Sequence, residues 1–293
     1  MRIGTIIEPK KIARAFTSGG EHSLANEVRA FMRAGANHIE ISGEAIAVLP
    51  GPIRNRFAEE ASAGLRDLHE NDGITFSVHL PFMGGVNFTT SIDSIRDASV
   101  GVVNDITRQC APLEPITYIL HIAGLLEDLM SVGLRDQTVI DAYLSYAAES
   151  LTGILEVIPH AKLCIENLEY ISFERIFPLV ERFDTKVCMD VGHIKLRNED
   201  IGEFLRKYGS RLGQIHMHGV TKRLFDRRVN VMDDHQGLGS GIVDADAVIQ
   251  MAHAIGFDGP VVLEVHAADP LNSVRILKEA IEKSQKSEKG ADK

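Results

Sequence analysis

Histidine and carboxylate residues recur at the ends of short apolar runs along this chain of 293 residues. Asp and Glu number 41 and His numbers 12, so these types together make up 53 of the 293 residues. Residues of these types would therefore not be expected at the end of every run by chance. Imidazole and carboxylate groups without thiolates are the ligands typical of zinc, manganese or iron sites. The pattern therefore predicts a divalent metal site, whose candidate ligands at run ends are His79, His121, Glu166, Asp190, His216 and Glu264.

Two short motifs add further candidate ligands. In Asp190-Val-Gly-His193, a single turn can bring His193 to the same metal as Asp190. In Asp233-Asp-His235, alternate residues of an extended segment face the same way, so we expect Asp233 and His235 to share a metal, with Asp234 as the substitute for Asp233. The resulting nine ligands are too many for one ion and suit two or three ions if Glu166 bridges.

Clustered divalent ions activate water and stabilise both oxygens of an in-line phosphoryl displacement. The ligand set therefore favours a hydrolase of phosphodiesters, in which we expect Glu166, Glu264 and His193 to have catalytic roles. Expected substrate contacts are Asn167, Glu169 and His218 near the strand ends, and Lys222, Arg223, Arg227 and Arg228 in the segment that follows. The four basic residues suit a phosphate clamp, and a solvated basic loop is the alternative interpretation.

The elements that must position these residues follow from hydrophobic spacing. Helical segments such as the one with Ile92, Ile95 and Ile106 separate short apolar or β-branched runs. Eight alternating units predict a parallel sheet closed into one (β/α)₈ TIM barrel, an α/β fold whose sites lie at the carboxyl ends of the strands. The predicted strands are 2–7, 38–42, 75–79, 117–121, 163–167, 186–190, 214–218 and 260–264.

We predict one barrel domain over residues 1–282 and a disordered polar tail over 283–293, where apolar residues are almost absent. The connection 219–241 has no clear periodicity, and a loop of that length is usually functional. The three cysteines are widely spaced and form no Cys-x-x-Cys motif, which argues against a disulfide framework and a structural zinc module.

The net charge of −10 argues against broad electrostatic capture of nucleic acid. No apolar run reaches the length of a membrane helix, which is about 20 residues. We therefore expect a cytoplasmic enzyme with a small-molecule substrate.

Four segments of the chain resemble the xylose isomerase-like TIM barrels, a superfamily that includes endonuclease IV and many sugar isomerases and epimerases. The resemblance covers about residues 1 to 280. In endonuclease IV-like enzymes, the nine positions hold a trinuclear zinc site, which implies a hydrolase; the sugar epimerases need only the equivalents of Glu166, Asp190, His216 and Glu264. The segments are His79-Leu-Pro, Asp190-Val-Gly-His193, His216-Met-His218 and Asp233-Asp-His235 with Gly237, Gly239 and Gly241 behind it.

The chain departs from endonuclease IV in segments 4–9 and 40–44, where that family has a His-Val-Ser motif and a DNA-contacting loop. Phe82 stands where a groove-entering tyrosine is expected, and the chain has no tryptophan. Segments 111–113, 118–121, 163–170 and 188–193 resemble the cobamide-remodelling phosphodiesterases of the same superfamily. That resemblance implies cleavage of the phosphodiester in the nucleotide loop of a cobamide.

Three alternatives stay open. A sugar or inositol isomerase or epimerase with one divalent ion would use Glu166 and Glu264 to move protons on either face of an enediolate. An endonuclease IV-like enzyme would cleave DNA at apurinic or apyrimidinic sites. A barrel that binds a ligand without turnover is the third, and it would not need an open metal site.

Overall fold

The computed structural model describes residues 1–7, 12, 24–49, 51, 54, 62–82, 85–225, 229–265 and 270–291. Its strands are β1 Arg2–Ile7, β2 His38–Ser42, β3 Thr75–His79, β4 Thr117–Leu120, β5 Leu163–Glu166, β6 Lys186–Asp190, β7 Leu212–Met217, β8 Gly219–Phe225, β9 Val229–Gln236 and β10 Pro260–Leu263. Eight of them form a closed parallel barrel in the order β1-β10-β7-β6-β5-β4-β3-β2. The predicted single (β/α)₈ barrel is confirmed.

Helices alternate with the barrel strands and cover their outer faces. The polar residue before several helices caps the first turn: the side chains of Asp200 and Asp244 accept hydrogen bonds from Glu203 N and Ala247 N. The helices are α1 Leu24–Ala34, α2 Gly43–Ala47, α3 Ser62–Asp72, α4 Asp93–Cys110, α5 Leu125–Ser131, α6 Gln137–Ile154, α7 Phe173–Arg182, α8 Val191–Leu196, α9 Ile201–Tyr208, α10 Ala245–Ala254 and α11 Pro270–Ala291.

The two faces of each barrel strand carry different chemistry because successive side chains alternate. On β3, Phe76 and Val78 are fully buried in the apolar layer that the strands share with the helices. Ser77, between them, instead meets Glu40 of β2. Gln214 of β7 also reaches Glu40 although β2 and β7 are not neighbours, so these polar side chains lie inside the barrel.

Two parts of the chain differ from the sequence expectations. The connection after β7 is an antiparallel hairpin of β8 and β9. A loop was expected there because the segment lacks clear periodicity. The prediction of a disordered tail from residue 283 is wrong at its start, because α11 continues to Ala291. Lys283 pairs with Asp246 at 2.8 Å, and the buried Ser284 contacts His253 at 2.8 Å, so α10 holds this part of the helix.

All three cysteines are buried and free, as the sequence predicts. Among the described residues, no helix combines the length and the apolar character needed to cross a membrane.

Candidate active site at the carboxyl ends of the strands

A cavity of about 210 Å³ opens at the carboxyl ends of the barrel strands. Its wall holds predicted ligands from β3, α8, the hairpin and the residues that directly follow β4 and β10, together with Phe82. The register of the parallel strands brings these ends to one level: His79 of β3 lies opposite Ser42 of β2, and Asp190 of β6 lies opposite His216 of β7. The predicted ligands in this wall are His79, His121, His193, His235 and Glu264.

The central ligand group combines Glu166, Asp190, His216 and Glu264, whose donor atoms all lie within 4.8 Å of one another. His216 Nδ1 lies 3.1 Å from Glu166 Oε1 and 3.6 Å from Glu264 Oε2. All four side chains are buried. Three carboxylates and one imidazole at this spacing form a four-donor set suited to a divalent cation.

A second group joins His79 and His121 to the same Glu166. His121 Nε2 lies 3.2 Å from His79 Nε2 and 3.0 Å from Glu166 Oε2, and His79 Nε2 lies 3.6 Å from that oxygen. The two oxygens of Glu166 therefore face different groups, Oε1 the central group and Oε2 the histidine pair. This geometry is compatible with the bridging role predicted for Glu166.

A third group contains His193, His218 and His235. The rings of His218 and His235 stack with centroids 4.3 Å apart, and His218 Nδ1 accepts a hydrogen bond from His235 N. The stack needs Gly192 beneath it, because a Cβ at that position would lie 1.9 Å from His218 Cε1. His218, predicted as a substrate contact, thus lies among the candidate ligands.

The structure does not bring Asp233 into any of these groups. The prediction assumed regular strand alternation, but His235 has a φ of +49°, so the alternation fails there. Asp234 instead lines the cavity beside His235, with Oδ1 at 3.3 Å from His235 Nδ1. The substitute named in the sequence analysis is therefore the better candidate.

The side chain of Asn167 hydrogen-bonds to the backbone of Asp190 and is not part of the cavity wall. Its side chain accepts from Asp190 N at 2.8 Å and donates to Asp190 O at 3.0 Å, which ties β5 to β6. Its carbonyl lies 2.9 Å from His193 Nδ1 and orients that ring. These contacts position β6 and His193, and the substrate contact of Asn167 stays a prediction. Glu169 does line the cavity, 3.6 Å from His193 Nε2.

The predicted basic clamp lies outside what the structure describes. Arg227 and Arg228 fall in the undescribed segment 226–228. Lys222 and Arg223 belong to β8 through their backbone, and their side chains are outside the described part of the chain.

The buried groups shift one another's protonation. Burial opposes the charged form of His79, but Glu166 and Glu264 raise the pKa of His79 to about 9. Asp234 and Glu264 likewise raise the pKa of His235 to about 10 against burial. Burial also opposes the charge on Glu166, yet His216 and His121 hold its pKa well below the usual range. Burial lowers the pKa of His121.

Two buried atoms in these groups lack a hydrogen-bond partner among the described residues. Asp190 Oδ1 accepts from His193 N at 2.6 Å, whereas Asp190 Oδ2 has no hydrogen-bond partner among the described residues. His218 Nε2 is also without one in the same part of the chain, although Asp190 Oδ1 lies 3.3 Å away. Buried polar atoms without partners are costly, so the lone pairs of Asp190 Oδ2 suit metal ligation. His218 Nδ1 accepts from His235 N, so a neutral His218 carries its proton on Nε2, beside Asp190 Oδ1.

Several residues of the site were not predicted from the sequence. Glu40 and Gln214 lie below the cavity, one layer inside the barrel. Only Gln214 had a signal in the sequence: it precedes His216 by two residues and so faces the same way. Glu44 and Glu127 line the cavity from α2 and α5. They lie beyond strand ends on helices, and no short motif marks them.

The model of the xylose isomerase-like TIM barrel family matches residues 28–287. A curated relative, an uncharacterised protein of Methanocaldococcus jannaschii, is 25% identical over 231 residues, which are 74% of this chain and 73% of the relative.

Solved structures give the same picture of the fold. A D-tagatose 3-epimerase-like protein aligns with a TM-score of 0.72 at 18% identity, over 98% of this chain and 99% of its own. Endonuclease IV from Thermus thermophilus aligns with a TM-score of 0.65 at 15% identity, over 97% and 100% of the two chains. The IOLI protein, solved with a zinc atom, aligns with a TM-score of 0.65 at 13% identity, over 97% and 96%.

Proposed function

The chain belongs to the xylose isomerase-like TIM barrel family, and on that premise we propose that it is a hydrolase of phosphodiesters with two or three divalent metal ions. One observation carries the proposal: Glu166 lies between two ligand groups, and a third group adjoins them through Asp190 and Glu264. A site for one ion needs only the central four donors. Five further histidines, His79, His121, His193, His218 and His235, have no role in such a site.

The residues present fit such a cluster. Glu166 would bridge two ions, with His79 and His121 on one side and Asp190, His216 and Glu264 on the other. His193 and His235 would hold a third, with Asp234 at its edge, and His218 would position His235 by accepting a hydrogen bond from His235 N. Zinc, manganese and iron all suit this mixture of imidazole and carboxylate. Bound together, such ions would activate water and neutralise charge on the phosphoryl oxygens.

The chain's own residues shape the space for the substrate. The Phe82 ring packs against His121 with centroids 4.2 Å apart and forms an apolar wall. Glu127 and Glu169 lie on the cavity wall. Burial, and then the charge of Glu169, raise the pKa of Glu127, so this carboxyl group holds a proton more readily than an exposed one. It is therefore suited to protonate a leaving alkoxide.

Within this class we assign a small-molecule substrate, namely the phosphodiester in the nucleotide loop of a cobamide. Segments 111–113, 118–121, 163–170 and 188–193 support that assignment through their similarity to cobamide-remodelling phosphodiesterases. The net charge of −10 supports a small-molecule substrate over DNA. We also propose that the enzyme is cytoplasmic.

The test is an assay of the metal-loaded protein on bis(p-nitrophenyl) phosphate, a cobamide and a duplex with an abasic site. We expect hydrolysis of the first two and loss of both activities in Glu166→Ala. Hydrolysis of the abasic duplex alone would favour an endonuclease, and hydrolysis of none of the three would reject the proposed class. Lys186→Ala is a matched control on the neighbouring strand, outside the ligand groups.

The second candidate is a sugar or inositol epimerase or isomerase with one metal ion. The compact group of Glu166, Asp190, His216 and Glu264 favours it, since those four donors complete a site alone. Glu166 and Glu264 would then move protons at the substrate carbon. A screen of ketose epimerisation with manganese tests this candidate, and an active His79→Ala/His121→Ala variant would support it.

A further inference from the structure

A polar network fills the barrel interior directly below the candidate active site. Glu40, Ser77 and Gln214 are fully buried within it and come from three different strands. Barrel interiors are usually packed with branched apolar side chains, so a carboxylate at this depth calls for an explanation. In the described part of the chain, the hydrogen bonds of the network reach the active site at His216. Its Nε2 faces the network and its Nδ1 faces the active site.

Nδ1 of His216 faces two of the other proposed ligands. Nδ1 lies 3.1 Å from Glu166 Oε1 and 3.6 Å from Glu264 Oε2. A histidine binds a metal through an unprotonated nitrogen, and the other nitrogen then carries the proton. For His216 to be a ligand through Nδ1, Nε2 must therefore be protonated and needs an acceptor.

Glu40 provides that acceptor. His216 Nε2 is in hydrogen-bond contact with Glu40 Oε2 at 3.4 Å and lies 3.1 Å from Oε1, which has no hydrogen-bond partner among the described residues. Gln214 Nε2 also lies 2.9 Å from His216 Nε2. Because Thr117 Oγ1 donates to Gln214 Oε1 at 2.7 Å, the amide turns its nitrogen, which is a donor, toward both Glu40 and His216. Gln214 therefore presents a donor to this region, and the carboxylate of Glu40 is left to accept the proton.

The rest of the network fixes the orientation of Glu40. Ser77 Oγ donates to Glu40 Oε2 at 2.7 Å, and Gln214 Nε2 donates to the same oxygen. His38 Nε2 lies 3.0 Å from Ser77 Oγ and donates to it, because the Ser77 hydrogen is already engaged. Thr75 Oγ1 meets the other His38 nitrogen at 2.8 Å. One consistent set of donor directions thus ends at Glu40.

We propose that Glu40 is a positioning residue for the metal site: it accepts the Nε2 proton of His216 and holds Nδ1 unprotonated toward Glu166 and Glu264. The inference rests on the proposed function, since it assumes that His216 binds a metal. Carboxylates that orient a ligating histidine affect metal affinity by about 10- to 100-fold.

The test compares zinc affinity, measured by chelator competition, in the wild type, Glu40→Gln and the control Thr75→Val. Glu40→Gln keeps the volume but places an amide among donors, and we expect about 10- to 100-fold weaker binding of one zinc ion per chain. Thr75→Val alters the far end of the network and should leave zinc affinity unchanged. Glu40→Asp should be intermediate, and it carries the test if Glu40→Gln does not fold.

The visible absorption spectrum of cobalt-loaded protein is a second measurement, which a loss of stability alone would not change. We expect the visible d–d absorption of Glu40→Gln to change in shape relative to the wild type, and that of Thr75→Val to match the wild type. Equal zinc affinity and identical spectra in Glu40→Gln would overturn the role of Glu40 while leaving the metal site intact. A wild-type protein that binds no zinc or cobalt would overturn the proposed function and this inference together.

Discussion

At the scale of single residues, the site is a buried cluster of opposite charges that partly compensate one another without a metal. His79 and His235 have pKa values raised to about 9 and about 10 by neighbouring carboxylates. Against burial, His216 and His121 lower the pKa of Glu166, and His216, His235 and His79 lower that of Glu264. A metal that takes over these ligands must displace protons from the imidazoles.

This pairing predicts how the stability of the metal-free protein depends on pH. A raised folded-state pKa contributes stability that is fully present below the unfolded value, about 6.5 for histidine, and is lost as pH rises through the folded value. With EDTA present, we therefore expect Tm to fall as pH rises through about 9 to 10. Thermal melts from pH 6 to 10 measure this.

Zinc-loaded protein is the control for the pH experiment, because its ligating imidazoles are neutral throughout that range. A Tm of the metal-free protein that stays flat up to pH 10 would contradict the pairing. A His79→Ala/His235→Ala variant should show the weaker pH dependence in EDTA.

Glu127 has its own prediction at this scale. If it protonates the leaving group, Glu127→Gln should lower kcat by about 100-fold for an alkyl phosphodiester. It should change kcat little for bis(p-nitrophenyl) phosphate, whose leaving group needs no proton. Steady-state kinetics on both substrates measure this split, and an equal loss on both would argue against a role in proton transfer.

At the scale of elements, three structures deliver the ligands: strand ends, the short helix α8 and the β8–β9 hairpin. Asp190 caps α8 and places His193 above the central group. The hairpin turns back over the barrel and stacks His235 on His218. The third ligand group therefore depends on how α8 and the hairpin pack.

Gly192 provides the test of that packing. A Cβ there would lie 1.9 Å from His218 Cε1, so Gly192→Ala should displace His218 and remove one metal ion per chain. The matched control is Gly101→Ala in α4, where nothing lies within 4 Å of the added Cβ. That control should keep every ion and gain up to about 1 kcal/mol of stability. Unchanged metal content in Gly192→Ala would contradict the third group.

The same elements mark what the sequence could predict. The barrel strands were predictable within two residues at either end because their apolar runs are short and bounded, and β3 and β6 have the predicted bounds. The hairpin was not, because its segment lacks alternation. The sequence does not reveal the positive φ of His235. Because of it, Asp234 rather than Asp233 lines the cavity beside His235. Glu40 was missed because its partner Gln214 is distant in the chain and adjacent only inside the closed barrel.

At the scale of the whole molecule, one barrel brings together residues from positions 79 to 264 of the chain. The family match over residues 28–287 and the similar solved structures agree on this architecture. The fold alone does not distinguish hydrolysis from epimerisation, since similar structures bear both kinds of name. Under our proposal, the number of ions at the carboxyl ends of the strands would distinguish them.

The most direct measurement is therefore the metal content of protein purified without chelator or added metal. We predict two or three ions of zinc, manganese or iron per chain, with one fewer in His79→Ala/His121→Ala. Lys195→Ala, on α8 but outside the ligand groups, should match the wild type. A single ion per chain that survives His79→Ala/His121→Ala and disappears in Glu166→Ala would contradict the proposed hydrolase.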